Sequence, residues 1–113
     1  MKLTLENLIQ CTEEYPIIAA LKSHEGLVKC KETECKIVFI LFGDICNIGD
    51  IVNKVKEMGK YAIVHIDLIA GLGSKEVAVD YIKHNTNADG IISTKPTLIK
   101  RAKELSLFAI QRS

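Results

Sequence analysis

The chain has 113 residues, 48% of them hydrophobic and 26% charged, which suits one globular domain with its own core and argues against a disordered or fibrous protein. No apolar run approaches the ~20 residues that a membrane-spanning helix requires. Polar residues at Glu6, Asn7 and Gln10 interrupt the segment where a signal peptide needs an apolar centre, so neither membrane insertion nor export is expected. The net charge of +1 argues neither for nor against a nucleic-acid partner.

The first half of the chain predicts two strands, each followed by a helix. A short amphipathic segment, "LTLENLIQCTE", opens the chain. The apolar run "PIIAALK" predicts a strand over 16–22, and "SHEGLVKCKETE" predicts a helix with Ser23 as its N-cap. "KIVFILFGD" is β-branched and aromatic without a polar interruption and predicts a strand over 36–43. In "NIGDIVNKVKEMG" apolar residues recur at helical spacing, and Gly59 ends the predicted helix.

The second half continues the alternation. "KYAIVHIDL" predicts a strand over 61–67, and after a glycine turn "SKEVAVDYIKHNT" predicts a helix capped by Ser74. "ADGIISTK" predicts a strand over 90–94. "PTLIKRAKELS" predicts a helix with Pro96 in its first turn, where a missing N–H does no harm. "LFAIQRS" predicts a fifth strand over 108–112.

Regular alternation of continuously apolar strands with helices predicts an α/β fold with a parallel sheet covered by helices. No linker or low-complexity segment interrupts it, so 1–113 is treated as a single domain. Two architectures fit: an open doubly wound sheet, or a TIM-barrel-like β/α repeat forming a partial barrel of about five parallel strands. In the second case the strands should follow one another in the order 1-2-3-4-5.

Polar residues collect where the predicted strands end, which is where parallel β/α folds place their functional groups. Strand alternation puts His65 and Asp67 on one face, towards the barrel interior and within reach of Asp44 or Lys95. Basic side chains here would suit a phosphate, and acidic and imidazole groups would suit hydroxyls, so the ligand predicted is a small phosphorylated polyol. The candidate ligand-binding residues are Lys22, Asp44, His65, Asp67, Ser93, Thr94, Lys95 and Arg112.

Simpler interpretations stay open for the same residues. A single histidine in a strand is more often a structural group than a functional one. Asp44 and Asp67 could cap the helices that follow their loops. The four cysteines lack the C-x-x-C spacing of zinc sites and are expected to be reduced and packed as small apolar residues. No metal site and no cofactor is expected.

The residues quoted above resemble one family closely. "PIIAALKS", "VFILFGDI", "VHIDLIAGL", "NTNADGIISTK" and "IQR" occur in this order over essentially the whole chain. Together they are similar to the glycerol-3-phosphate-responsive antiterminators, the glycerol uptake operon antiterminator regulatory proteins of bacteria. The resemblance implies a TIM-barrel-like cytoplasmic regulator that senses glycerol 3-phosphate as its effector and acts on the leader mRNA of glycerol genes. It also implies that His65 and Asp67 belong to a binding set at the barrel mouth.

Family members continue past the matched "IQR", so the chain is expected to be C-terminally truncated relative to them. Weaker binding of glycerol 3-phosphate and self-association through open sheet edges are the expected consequences. Residues 95–113 hold five basic residues and one acid, and Lys100, Arg101 and Lys103 are the candidate RNA contacts. Two alternatives remain: a small sugar-phosphate isomerase or aldolase-type enzyme, with His65 and Asp67 or Asp44 as acid and base, or an inactive remnant.

Overall fold

The computed structural model describes residues 18–112, which form five parallel strands alternating with helices. The elements in chain order are β1 (Ile18–Leu21), α1 (His24–Cys30), β2 (Ile37–Ile40), α2 (Ile48–Glu57), β3 (Tyr61–His65), a 3₁₀ helix (Ile66–Leu68), α3 (Glu76–Asn85), β4 (Gly90–Ser93), α4 (Pro96–Glu104) and β5 (Phe108–Gln111). The predicted amphipathic opening segment lies outside the described residues. None of the helices in 18–112 is long and apolar enough to cross a membrane.

The strands lie in the order β1-β2-β3-β4-β5, and every pair is parallel. Each strand therefore pairs with the strand that precedes it in sequence. A doubly wound sheet would place β1 in the interior, so this order confirms the β/α-barrel prediction over the doubly wound one. The sheet is not closed within the described residues, because β1 and β5 each have one neighbour.

Alternating side chains divide the sheet into two faces. One face packs under the helices, where Val38, Val64 and Ile91 from the strands meet buried residues such as Val52 and Leu98 from the helices. The opposite face carries a smaller cluster. We call it the bare face, because none of the described helices contributes to that cluster. It consists of Ile37, Ile63 and Ile92, with Phe39, Tyr61, Phe108 and Ile110 packed beside them.

Several predicted boundaries are wrong by a few residues. The predicted strand over 61–67 ends at His65, because the chain turns into the 3₁₀ helix. Leu68, the last residue of that 3₁₀ helix, is exposed. The third helix starts at Glu76 with Lys75 as its N-cap, so Ser74 is not the cap.

Candidate functional site

Asp67 is the centre of a hydrogen-bonded cluster at the carboxyl ends of β3 and β4. Its Oδ1 accepts a hydrogen bond from the Ser93 hydroxyl at 2.9 Å. Its Oδ2 accepts hydrogen bonds from the Thr94 backbone N–H at 2.8 Å and the Thr94 hydroxyl at 3.0 Å. The Lys95 ammonium lies 3.6 Å from Oδ1. Four predicted site residues are thus brought together, and Lys95 is within reach of Asp67 as expected.

These contacts determine the ionisation of Asp67. Burial raises the pKa of the carboxyl group, but hydrogen bonds from Thr94 and Ser93 and the charge of Lys95 outweigh it, so the pKa lies below its usual value. The group is therefore an anion at neutral pH and acts as a hydrogen-bond acceptor.

His65 lies apart from this cluster, in an apolar cleft on the bare face. The cleft has a volume of about 300 Å³. His65 is only 4% exposed, and its Nδ1 has no hydrogen-bond partner among the described residues. An unpaired buried polar atom costs roughly 1–3 kcal/mol, which is unusual where no ligand supplies the missing bond. The lining residues are Phe39, Leu41, His65, Ile92, Ile110, Gln111 and Arg112.

His65 and Asp67 do not share a strand face in the way that alternation predicts. Alternation holds for His65, which follows Ile63 on the bare face and pairs in register with Ile92. It stops at His65, because Asp67 lies in the 3₁₀ helix. Asp67 bonds instead to Ser93, which lies two residues after Ile91 of the helix-covered face.

Asp44 organises a turn and is not the cap of α2, whose N-cap is Asn47. Its Oδ1 accepts hydrogen bonds from the backbone N–H groups of Cys46 at 2.8 Å and Asn47 at 3.0 Å, and the Asn47 Oδ1 accepts one from the Asp44 N–H at 2.8 Å. These bonds organise the turn that leads into α2. The turn is also tied to the loop after β3, because Ile45 N–H donates to the Ala70 carbonyl at 2.9 Å.

The three basic residues predicted to meet a phosphate do not converge. Lys22 follows β1 and Arg112 follows β5, which are the two edges of the sheet. Four strand spacings separate these edges, about 19 Å along the sheet. Arg112 lines the cleft beside His65, and its N–H donates to the Ser93 carbonyl at 2.9 Å. The structure thus groups Arg112 with the β3–β4 residues and leaves Lys22 apart.

The candidate RNA contacts lie on α4 and differ in their surroundings. Lys100 and Lys103 are exposed. The Arg101 guanidinium donates to the Asp80 carboxylate, with Nε–Oδ1 at 2.9 Å and Nη2–Oδ1 at 2.8 Å. Arg101 therefore joins α4 to α3, and only the two lysines of this set are free of ion pairs to described residues.

The apolar wall of the cleft was not among the predicted site residues. Its apolar residues all lie in predicted strands: Phe39, Leu41, Ile92 and Ile110. The signal that reveals them is alternation, since Phe39 and Leu41 share the parity of Ile37 along β2 and Ile110 shares that of Phe108 along β5. It can be used only once the strand order shows which faces coincide.

Three comparisons place the chain among known proteins. A family model described as glycerol-3-phosphate responsive antiterminator matches residues 17–113. A curated relative from Escherichia coli (strain K12), the uncharacterized protein YgcP, is 42% identical over 105 residues, which are 93% of this chain and 55% of the relative.

Two solved structures share the fold. The glycerol uptake operon antiterminator regulatory protein from Listeria monocytogenes matches with a TM-score of 0.84 at 28% identity, over 99% of this chain and 57% of that protein. A glycerol uptake operon antiterminator-related protein from Thermotoga maritima matches with a TM-score of 0.75 at 34% identity, over 84% of this chain and 53% of that protein. The chain thus spans about half the length of the relatives it matches.

Proposed function

The chain belongs to the glycerol-3-phosphate responsive antiterminator family, and on that basis we propose that it regulates glycerol uptake genes in response to glycerol 3-phosphate. The observation that carries the proposal is the family match across residues 17–113, which confirms the resemblance drawn from the sequence. A regulator of nascent transcripts works in the bacterial cytoplasm, which is the proposed location.

We propose that the effector binds at the carboxyl ends of β3, β4 and β5. The cleft of about 300 Å³ is at the small end of the range for ligand sites, which suits a three-carbon phosphate ester. The guanidinium of Arg112, which lines the cleft, is the proposed phosphate contact. The unpartnered Nδ1 of His65 is the proposed contact for a polyol hydroxyl, because a ligand oxygen would complete its hydrogen bonding.

The proposed macromolecular partner is the leader mRNA of glycerol genes. The aromatic residues Phe39, Tyr61 and Phe108 pack in the bare-face cluster and do not form an exposed platform for stacking bases. Binding would therefore depend on phosphate contacts from exposed basic residues such as Lys100 and Lys103, and it should weaken steeply with salt.

The enzyme alternative receives no support from the site. The family is one of regulatory antiterminators, in agreement with the prediction that the protein is not an enzyme. The Asp67 carboxylate has a pKa below its usual value, whereas a general acid or base works best with a pKa near the operating pH.

An NMR titration of protein carrying ¹⁵N-labelled histidine tests the effector proposal, since it reports on His65 even when binding is weak. Glycerol 3-phosphate should shift the His65 ring signals at concentrations where glycerol and inorganic phosphate do not. His65→Leu should weaken binding at least tenfold in calorimetry. His84→Leu, the same change at an exposed histidine of α3, should leave it unchanged. Equal binding by the two variants would contradict the proposed site.

Transcription through a glycerol leader terminator tests the regulatory part separately. Read-through should rise when protein and glycerol 3-phosphate are added together. Lys100→Gln combined with Lys103→Gln should reduce read-through without altering the NMR titration. Unchanged read-through in that double variant would remove α4 from the RNA contacts while leaving the effector site standing.

A further inference from the structure

Two cysteines meet at the opposite end of the sheet from the proposed effector site. Cys30 is the last residue of α1, and Cys35 lies two residues before β2 begins. Their Sγ atoms are 3.7 Å apart, which is van der Waals contact, and both residues are buried. Cys46, in contrast, is exposed. The proposed function makes no use of this pair.

The turn between the two cysteines is held by Thr33 and Lys60. The Thr33 hydroxyl donates to the Cys30 carbonyl at 2.9 Å, and its oxygen lies 3.0 Å from the Cys35 sulfur, to which the single hydroxyl proton can turn when that sulfur is a thiolate. The Lys60 ammonium donates to the carbonyls of Cys35 at 2.6 Å and Thr33 at 3.0 Å. Lys60 is only 7% exposed, so its charge acts in a poorly hydrated place. These contacts fix the relative positions of the two thiols.

The same contacts make the two thiols unequal. Burial raises the pKa of Cys35, but hydrogen bonds from Thr33 and Cys30 and the charge of Lys60 outweigh it, so its pKa is lowered. Burial, together with the hydrogen bond and charge of Cys35, raises the pKa of Cys30. Cys35 is therefore the first of the two to become a thiolate, which is the reactive form.

An open depression lies beside the buried Cys35. It has a volume of about 510 Å³ and is lined by Cys35 together with Thr33, Met58 and Lys60, among others. A hydroperoxide is small enough to enter it. Cys35 is fully buried against this depression, so the proposed reaction requires a local opening of the turn at Thr33 that admits the peroxide to the sulfur.

We propose that Cys30 and Cys35 form a peroxide-reactive dithiol site that closes to an intramolecular disulfide. The Cys35 thiolate attacks one peroxide oxygen, so that an S–O bond forms, the O–O bond breaks and the departing oxygen leaves as water after taking a proton. Cys30 then attacks the Cys35 sulfur, an S–S bond forms, and the S–O bond breaks to release a second water. Two thiols are oxidised, and one hydrogen peroxide is reduced to two waters.

The movement needed is short. The two sulfur atoms are 3.7 Å apart. A disulfide has an S–S distance of about 2.05 Å, so the sulfurs must approach each other by about 1.7 Å. The site lies at the amino ends of β2 and β3, whereas His65 and Asp67 lie beyond the carboxyl end of β3. Oxidation should therefore leave the proposed effector cleft intact.

Mass spectrometry of a Cys11→Ser/Cys46→Ser variant tests the proposal, because only the pair remains. One equivalent of hydrogen peroxide should lower the mass by two hydrogens and protect both thiols from N-ethylmaleimide, without forming a covalent dimer. Trypsin cleaves after Lys29, Lys31 and Lys36. The fragments "CK" and "ETECK" should therefore appear as one linked species.

Three further variants distinguish a dithiol that reacts with peroxide from two cysteines that only pack against each other. With Cys30→Ser added, Cys35 should be trapped by dimedone as its sulfenic acid. A protein that retains Cys46 alone should react at least tenfold more slowly than the pair. Thr33→Val should slow the first step several-fold while circular dichroism remains unchanged. Full alkylation of the pair after peroxide, disulfides between chains, or equal rates for Cys46 and the pair would each overturn the proposal.

Discussion

At the residue scale, Asp67 and His65 are close in sequence, but the Asp67 carboxylate is hydrogen-bonded and the His65 Nδ1 is not. The Asp67 carboxylate accepts three hydrogen bonds and faces an ammonium, so it is stabilised within the protein itself. The Nδ1 of His65 has no partner among residues 18–112. We infer that Asp67 holds the loops after β3 and β4 in place, while His65 is available to a ligand.

Asp67→Asn should destabilise the protein by about 1–3 kcal/mol at pH 7, since the charge-assisted bonds from Ser93 and Thr94 weaken. The pKa of Asp67 is depressed in the folded protein, so its contribution is present above the unfolded pKa of about 3.9 and is lost as pH falls through the folded pKa. Urea unfolding should therefore be measured between pH 7 and pH 3. The difference in the free energy of unfolding between wild type and Asp67→Asn should become smaller below about pH 4.

Glu57→Gln serves as the control, because Glu57 is an exposed carboxylate with no ion pair to a described residue. It should change the free energy of unfolding by less than about 0.5 kcal/mol. A gap between Asp67→Asn and wild type that stays constant with pH would contradict the structural role given to the charge.

At the element scale, strand and helix identity follows from local pattern, and the boundaries follow from contacts between elements. "IVFI" and "YAIVH" are strands, as their β-branched content predicts. The end of β3 could not be predicted from local pattern. It depends on the hydrogen bonds that Asp67 accepts from Ser93 and Thr94, and these residues are separated from Asp67 in the sequence by all of α3. Likewise the position of Asp44 after a strand was predictable, but its bonds to Cys46 and Asn47 depend on the folded conformation of the turn.

β4 and β5 approach each other closely at Gly90. A Cβ at this position would collide with the backbone carbonyl oxygen of Phe108 on the paired strand. Gly90→Ala should therefore separate β4 from β5 and destabilise the protein by about 2 kcal/mol or more, measured by urea unfolding.

The same substitution at Gly49 is the matched control, because a Cβ there meets only the Asn85 carbonyl oxygen at an ordinary 3.4 Å. Gly49 lies within α2, so alanine should be neutral or stabilising by up to about 1 kcal/mol. If Gly90→Ala proved as mild as Gly49→Ala, the close approach of the two strands would be disproved.

At the scale of the whole molecule, the described sheet has two edges and a partly covered apolar face. β1 and β5 each pair on one side only, and the bare-face cluster receives no side chain from the described helices. Unpaired strand edges favour association. The β/α alternation predicted a parallel sheet but left a doubly wound sheet and a partial barrel both open, and the strand order was predicted only for the barrel that the family resemblance implies.

We expect the 113-residue chain to self-associate in a concentration-dependent way, as measured by sedimentation. Ile110→Lys, on the bare face, should shift the distribution towards monomer, because a buried ammonium in the contact would be costly. Val77→Lys, at an apolar position on α3 that is already 67% exposed, should leave the distribution unchanged. A wild-type chain that remains monomeric at high concentration would refute this expectation.

The strand order also bears on how the chain acquires its structure. Ile18 pairs with Ile37, and Gly90 pairs with Phe108, so each strand finds its partner one β/α unit away. Each pairing therefore closes a loop of 18 to 27 residues, and none requires the first and last strands to meet. The stability of such a sheet is approximately a sum over successive interfaces, as in repeat proteins. Structure can then spread from whichever unit forms first, without waiting for distant parts of the chain to meet.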